Sequence, residues 1–182
     1  MFKKCELIPR NKEQILSFNL DNIQFLDSLQ FINESLAQIV KNLQVANYKF
    51  PITTNIFREQ IANSEERKSL LLRKGVFPYD YFDDMKKLDD KYLPEKEQFY
   101  STLTQDHISN EDYQHACNIW DQFNIKNFGE YHDFYLILDT TLLADCFQQF
   151  RKVIYKDYGL EPCHFYSIPR LALASQFKNY WN

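Results

Sequence analysis

Glycine is scarce, with three in 182 residues. That scarcity excludes the loops in which bare backbone N–H groups cradle phosphate, and neither G-x-x-x-x-G-K nor G-x-G-x-x-G occurs. The four cysteines, Cys5, Cys117, Cys146 and Cys163, are scattered and form no C-x-x-C pair. His115 and Cys117 are two apart on a predicted helix and point to different faces. The spacing therefore speaks against a zinc site, and the thiols read as small buried hydrophobes in a reducing compartment. No apolar run approaches the length of a membrane span. The opening Met-Phe-Lys-Lys-Cys-Glu has no signal-peptide core behind it. The expectation is a soluble intracellular protein, nuclear or cytoplasmic, without a membrane partner. Internal repeats and low-complexity tracts are also missing. The net charge of -4 lacks the basic excess of a stand-alone nucleic-acid-binding domain. Basic groups do cluster locally, at Lys3, Lys4, Arg10 and Lys12, and at Arg67, Lys68, Arg73 and Lys74.

What the chain does have is aromatic side chains, 16 Phe and 12 Tyr, and an apolar share of 45% that suffices for a core. Its length fits one domain or slightly more. Residues 15 to 31 read as a β-hairpin about the turn Asp21-Asn22, with Ile15 to Leu20 as one arm and Ile23 to Phe31 as the other. Its apolar arms need partner strands, and the rest of the sequence offers none. A helix follows, capped by Asn33 and marked by Leu36, Ile39, Val40 and Leu43. Residues 55 to 73 suggest two short helices. Ser64 caps the second and Gly75 ends it. Residues 76 to 108, with Pro78, Pro94 and the charged cluster Asp83 to Lys91, read as a long irregular segment, functional or weakly ordered. A helix capped by Ser109 and Asp112 comes next. A long element spans roughly 129 to 156, and a short helix about 170 to 180 closes the chain. The fold class is α+β, mostly helical.

The densest chemical signal lies in Tyr131-His-Asp-Phe-Tyr135-Leu-Ile-Leu-Asp139-Thr-Thr-Leu-Leu-Ala-Asp145. A spacing of four puts Tyr135 and Asp139 on one helix face, one turn apart. Around them stand Leu136, Ile137, Leu138, Leu142, Leu143 and Ala144. An ionised carboxylate there is costly without a cation or several donors. A divalent metal is one candidate partner; a hydrogen-bonded or half-exposed aspartate is the plain alternative.

Here the chain resembles the protein-primed family-B DNA polymerases of linear viral genomes, organellar plasmids and large transposons. The resemblance covers almost the whole chain. Tyr135 and Asp139 match the third exonuclease motif, Tyr-x-x-x-Asp. Ser28, Leu29 and Ile32 match the Ser/Thr-Leu-x-x-hydrophobic pattern that holds single-stranded DNA. Lys74, Phe77 and Tyr79 match Lys-x-x-hydrophobic followed by tyrosine. Two further stretches, Leu93 to Tyr113 and Tyr158 to Tyr166, look like the transposon and large-virus branch. Taken singly, Ser28 also reads as a strand end, and Lys74 as a solvated lysine beside a helix dipole. The resemblance implies that in the parent enzyme Asp139 binds Mg²⁺ or Mn²⁺, Tyr135 orients water and Lys74 assists near the scissile phosphate, while this fragment is expected to bind no metal stably. It further implies that Ser28, Leu29 and Tyr79 contact DNA. The implied partners are a single-stranded DNA 3′ end and a terminal-protein primer.

The chain departs from that family in several places. No Asp-x-Glu precedes residue 30. Asn22, Phe25 and Asp27 imitate the second motif with one residue too many. Near the C-terminus, Arg170, Leu173 and Ala174 replace the usual Gly, Trp and Asp of the polymerase junction. Proofreading by two cations needs several carboxylates around one ion pair, and Asp139 stands alone. The resemblance thus implies part of a ribonuclease H-like exonuclease domain over 1–165 and the start of the connection to the polymerase domain over 166–182, ending before the palm. Part of the natural domain is expected before Met1, and the fragment alone is expected to be inactive. Two alternatives stay open: a non-catalytic helical interaction module and a remnant reading frame.

Overall fold

A computed structural model describes residues 5–9 and 15–180. It is α+β and mostly helical, with one small antiparallel sheet. The basic groups Lys3, Lys4, Arg10 and Lys12 lie outside the described residues. The chain divides into two compact units, 36–146 and the remainder.

The remainder, 1–35 with 147–182, contains the sheet. β1 (Cys5–Pro9), β2 (Ile15–Leu20) and β3 (Ile23–Leu26) pair in the order β1-β2-β3. The expected hairpin is therefore two arms of a three-stranded sheet. The missing partner is β1, a five-residue strand closed by Pro9. Its brevity and terminal proline hide it in the sequence, although an edge strand tolerates proline at its end. Asp21 adopts a left-handed φ of 51° in the turn, which explains how the hairpin closes without glycine. The return arm stops at Leu26 rather than Phe31. There the Asp27 carboxylate accepts from the Leu29 N–H at 3.0 Å and caps a 3₁₀ turn, Ser28–Gln30. Phe31 is buried against the rings of Phe147 and Phe150. In the same unit Arg151 forms a two-point pair with Glu161, both contacts at 2.8 Å, which holds the Glu161 carboxyl down at about 2.

The unit 36–146 holds α1 (Leu36–Val45), α2 (Pro51–Ile56), α3 (Glu65–Leu71), α4 (Asn110–Gln122) and the first part of α5 (Phe128–Tyr158). α1 begins three residues beyond Asn33, so Asn33 is not its cap. α3 is capped as expected, Ser64 Oγ accepting from the Arg67 N–H at 3.2 Å. At the start of α4, Ser109 Oγ accepts from the Asp112 N–H at 3.0 Å and donates to the Asp112 carboxylate at 2.8 Å. One core packs Val40, Phe50, Leu71, Leu138 and Leu142. A second packs Tyr81, Phe99, Ile119, Phe128 and Tyr131. The segment 76–108 is largely irregular but contains two short 3₁₀ helices, Met85–Asp89 and Lys96–Phe99, which its prolines and charges do not disclose. It is nevertheless pinned, with Pro78 and Pro94 fully buried and the Asp80 carboxylate accepting from both the N–H and the hydroxyl of Thr102. Among the described cysteines Cys146 is buried, while Cys117 and Cys163 are half-buried.

α2 begins at an unusual cap. Phe50 takes a left-handed φ of 47° and has no side chain able to accept. The acceptor comes instead from α5: the fully buried Asp145 carboxylate takes the Thr53 N–H and hydroxyl, each at 2.8 Å, and the Ile52 N–H at 3.1 Å. Those donors compensate a charge that burial alone would forbid.

His115 on α4 is 5% exposed, and its Nε2 has no partner. Burial, reinforced by the Arg73 charge, lowers its pKa from 6.5 to about 4. The unfolded imidazole takes a proton near 6.5 and the folded one does not. Stability is therefore fully present above that value and falls as pH drops toward 4, by about 3 kcal/mol at 1.36 kcal/mol per unit. Urea midpoints measured from pH 7 to pH 4 should fall, and His115→Leu should flatten the fall. An equal slope in both proteins would assign the acid sensitivity elsewhere.

Candidate functional site

Tyr135 and Asp139, singled out in the sequence, lie one turn apart on one face of α5. Phe128, Tyr131, Tyr135 and Asp139 recur at helical spacing, and the segment 74–79 lies against that row. The Tyr131 hydroxyl donates to the Val76 carbonyl at 2.7 Å. Phe77 stacks on Phe128 at 5.4 Å and on Tyr135 at 5.1 Å. The Tyr79 and Tyr135 hydroxyls share a hydrogen bond of 2.5 Å.

Gly75 allows this approach. It does not end α3, which stops at Leu71, and it has no left-handed φ. A Cβ there would stand 2.8 Å from Tyr135 Cδ2, closer than real carbons come. The expected helix stop is therefore a close-packing position. The sequence signal, a lone glycine after a helical stretch, is the same for both roles.

Asp139 sits behind Tyr135. Its Oδ1 is buried without a hydrogen-bond partner, 4.0 Å from where a Cβ on Gly75 would stand. Burial pushes its carboxyl above the ordinary range. The Tyr135 hydroxyl, the Lys74 charge and the Gly75 N–H pull the other way without closing a bond to Oδ1. Burial, the Tyr79 bond and the neighbouring Asp139 all raise the Tyr135 hydroxyl, so it stays protonated. The pair can offer a neutral hydroxyl and one carboxylate oxygen with spare accepting capacity.

Lys74, Phe77, Tyr79 and Tyr135 form one wall of a cleft of about 520 Å³. The facing residues include Ser101, Thr104, Asp106, His107 and Ser109. Sequence reasoning read Ser109 only as a helix cap and gave Ser101, Thr104, Asp106 and His107 no individual role. A larger hollow, about 690 Å³, opens between Gln44 and Leu72. Four of its donors are already committed, Gln44 to the Leu72 carbonyl, Thr54 to Phe50, Ser69 to Glu66 and Lys68 to Glu65, while Asn47 and Lys49 also line it. Volume alone does not make it the better site.

No family model matches this chain, and neither a curated protein nor a solved structure matches it.

Ser28 and Leu29 belong to the other unit. Ser28 is half-buried, its carbonyl accepting from the Phe31 and Ile32 N–H groups at 3.0 Å, and Leu29 is exposed. Among the described residues no group of three His, Cys, Asp or Glu side chains is placed to hold a metal ion. The orphaned Asp139 Oδ1 suits a cation, but one carboxylate does not fit a two-cation centre. Among the described residues no helix is long and apolar enough to cross a membrane.

Proposed function

We propose that this chain is the later part of the 3′–5′ exonuclease domain of a protein-primed family-B DNA polymerase, with a ribonuclease H-like ancestry. It would be inactive alone and would receive the 3′ end of a single DNA strand. The observation that carries this reading is the convergence of Lys74, Tyr79, Tyr135 and Asp139, which two motifs about sixty residues apart in sequence contribute to one place. In this reading Lys74 meets a phosphate, and its cationic head supplies charge that strengthens as the phosphate becomes more negative. Tyr79 and Tyr135 present their hydroxyls to the terminal nucleotide, and Phe77 packs against both rings. Ser28 and Leu29 would contact the same strand. The remaining metal ligands, and any Mg²⁺ or Mn²⁺, belong to the parent enzyme, as do the terminal-protein primer and nucleotidyl transfer.

Binding of dye-labelled single strands with free or blocked 3′ ends tests the reading. The chain should prefer the free end and lose affinity steeply with salt. Lys74→Ala should abolish the preference. Equal binding of the two strands would remove the 3′-end assignment. Degradation sustained with Mn²⁺ and lost in Asp139→Ala would show that the fragment is active after all.

A second reading, a protein-interaction module, draws on the exposed Tyr79, Met85, Tyr92 and Leu103 along 76–108. The absence of any strand binding at low salt would favour it.

A further inference from the structure

The sheet is built inside out. Its register aligns Leu7, Phe18 and Phe25 across three strands, with Leu20 beside Ile23 on the same face. That apolar face is open: Leu7, Ile23 and Phe25 are 56%, 60% and 43% exposed. The alternate positions of β2, Ser17 and Asn19, turn the other way, and their side-chain oxygens are buried without partners. A sheet that buries hydroxyl and amide while exposing leucine and phenylalanine loses free energy on both faces unless something covers the apolar one.

The dimensions select the occupant. Strand spacing and rise give a face about 15 Å on a side, on the order of 200 Å². A stable protein interface needs about 800 Å² per partner, so a second copy stacked here would hold weakly. The same face suits two or three unpaired bases, the load that aromatic sheet platforms carry. Phe18 and Phe25 already form the start of a stack, with centroids 4.4 Å apart and planes within 7°. β3 is an edge strand, so Phe25 ends that stack and a base can continue it.

We propose that the Phe18–Phe25 face is a stacking platform for the bases of single-stranded DNA. It lies in the other unit from the cleft and does not depend on the exonuclease reading. Fluorescence anisotropy with a labelled oligothymidylate of about a dozen nucleotides tests it on the full chain. Phe25→Leu keeps the apolar surface and removes the ring; it should weaken binding about tenfold while leaving the melting temperature unchanged. Phe25→Trp should bind at least as tightly as the native chain. The ratio of affinities for free and blocked 3′ ends, which reports the cleft, is read beside the absolute affinity, which reports the platform, so failure of the cleft and failure of the platform read out separately. Equal affinity of the Leu, Trp and native proteins would overturn the platform. So would a native chain that does not bind, or a Phe25→Leu change seen only as loss of self-association in sedimentation.

Discussion

Replacing Asp145 with alanine should cost about 3–5 kcal/mol of stability, because it strands several buried donors at about 1–3 kcal/mol each. The carboxylate answers four donors: the Ile52 and Thr53 N–H groups, the Thr53 hydroxyl and, at 3.4 Å, the Tyr48 hydroxyl. Alanine would leave the Thr53 pair buried and unsatisfied, at about 1–3 kcal/mol for each such group. It would also remove the side-chain cap that α2 receives from α5, since Phe50 supplies none. A six-residue helix has no length with which to compensate. Asp145→Asn keeps one acceptor and should cost less than half as much. Against a typical total of about 5–15 kcal/mol, the alanine variant should be partly unfolded at physiological temperature. Urea titration followed by circular dichroism measures both. If Asp145→Ala unfolds at the native midpoint, α2 is held by its apolar contacts and the remote cap is incidental.

The same residue marks the limit of what the sequence discloses. The run Tyr131 to Asp145 reads as one helix, and α5 contains all of it, because long apolar periodicity is a local property. Asp145 looks there like the polar end of an apolar stripe. Its donors lie about ninety residues earlier, and nothing in the spacing of Thr53 points to them. Ser64 and Ser109 were legible as caps because a cap and its N–H are three residues apart. β1 was not legible, since five residues ending in Pro9 carry too little alternation to separate a strand from a loop. Lys74, Tyr79, Tyr135 and Asp139 were picked out by a family resemblance, not by periodicity. The facing wall, Ser101 to His107, had no local signature because irregular backbone is positioned by distant contacts such as Asp80 to Thr102. Gly75 fell between the two cases: the residue was noticed and its role misread, because an empty Cβ position serves a turn and a close approach equally well.

That role gives the second large effect. Gly75→Ala should destabilise the fold by about 1–3 kcal/mol and disconnect the cleft wall from α5. The added carbon would meet Tyr135 at Cδ2 and, at 3.3 Å, Cε2, in the body of a ring that already packs against Phe77. The ring cannot retreat without losing that stack and the bond to Tyr79. Backbone strain adds nothing, because φ at this glycine is not left-handed. Alanine would otherwise stabilise slightly, by about 0.4–1 kcal/mol, through the unfolded chain. The sign of the effect therefore depends on the ring alone. In a Tyr135→Ala background the clash is gone, and the same substitution should become neutral or mildly stabilising. A double-mutant cycle in urea should then return a coupling of about 1–3 kcal/mol between two residues sixty positions apart. Zero coupling would mean that segment 74–79 does not lie on α5, and the shared site would dissolve with it. If coupling appears while Gly75→Ala still distinguishes free from blocked 3′ ends, the packing is right and the cleft is not where the strand ends.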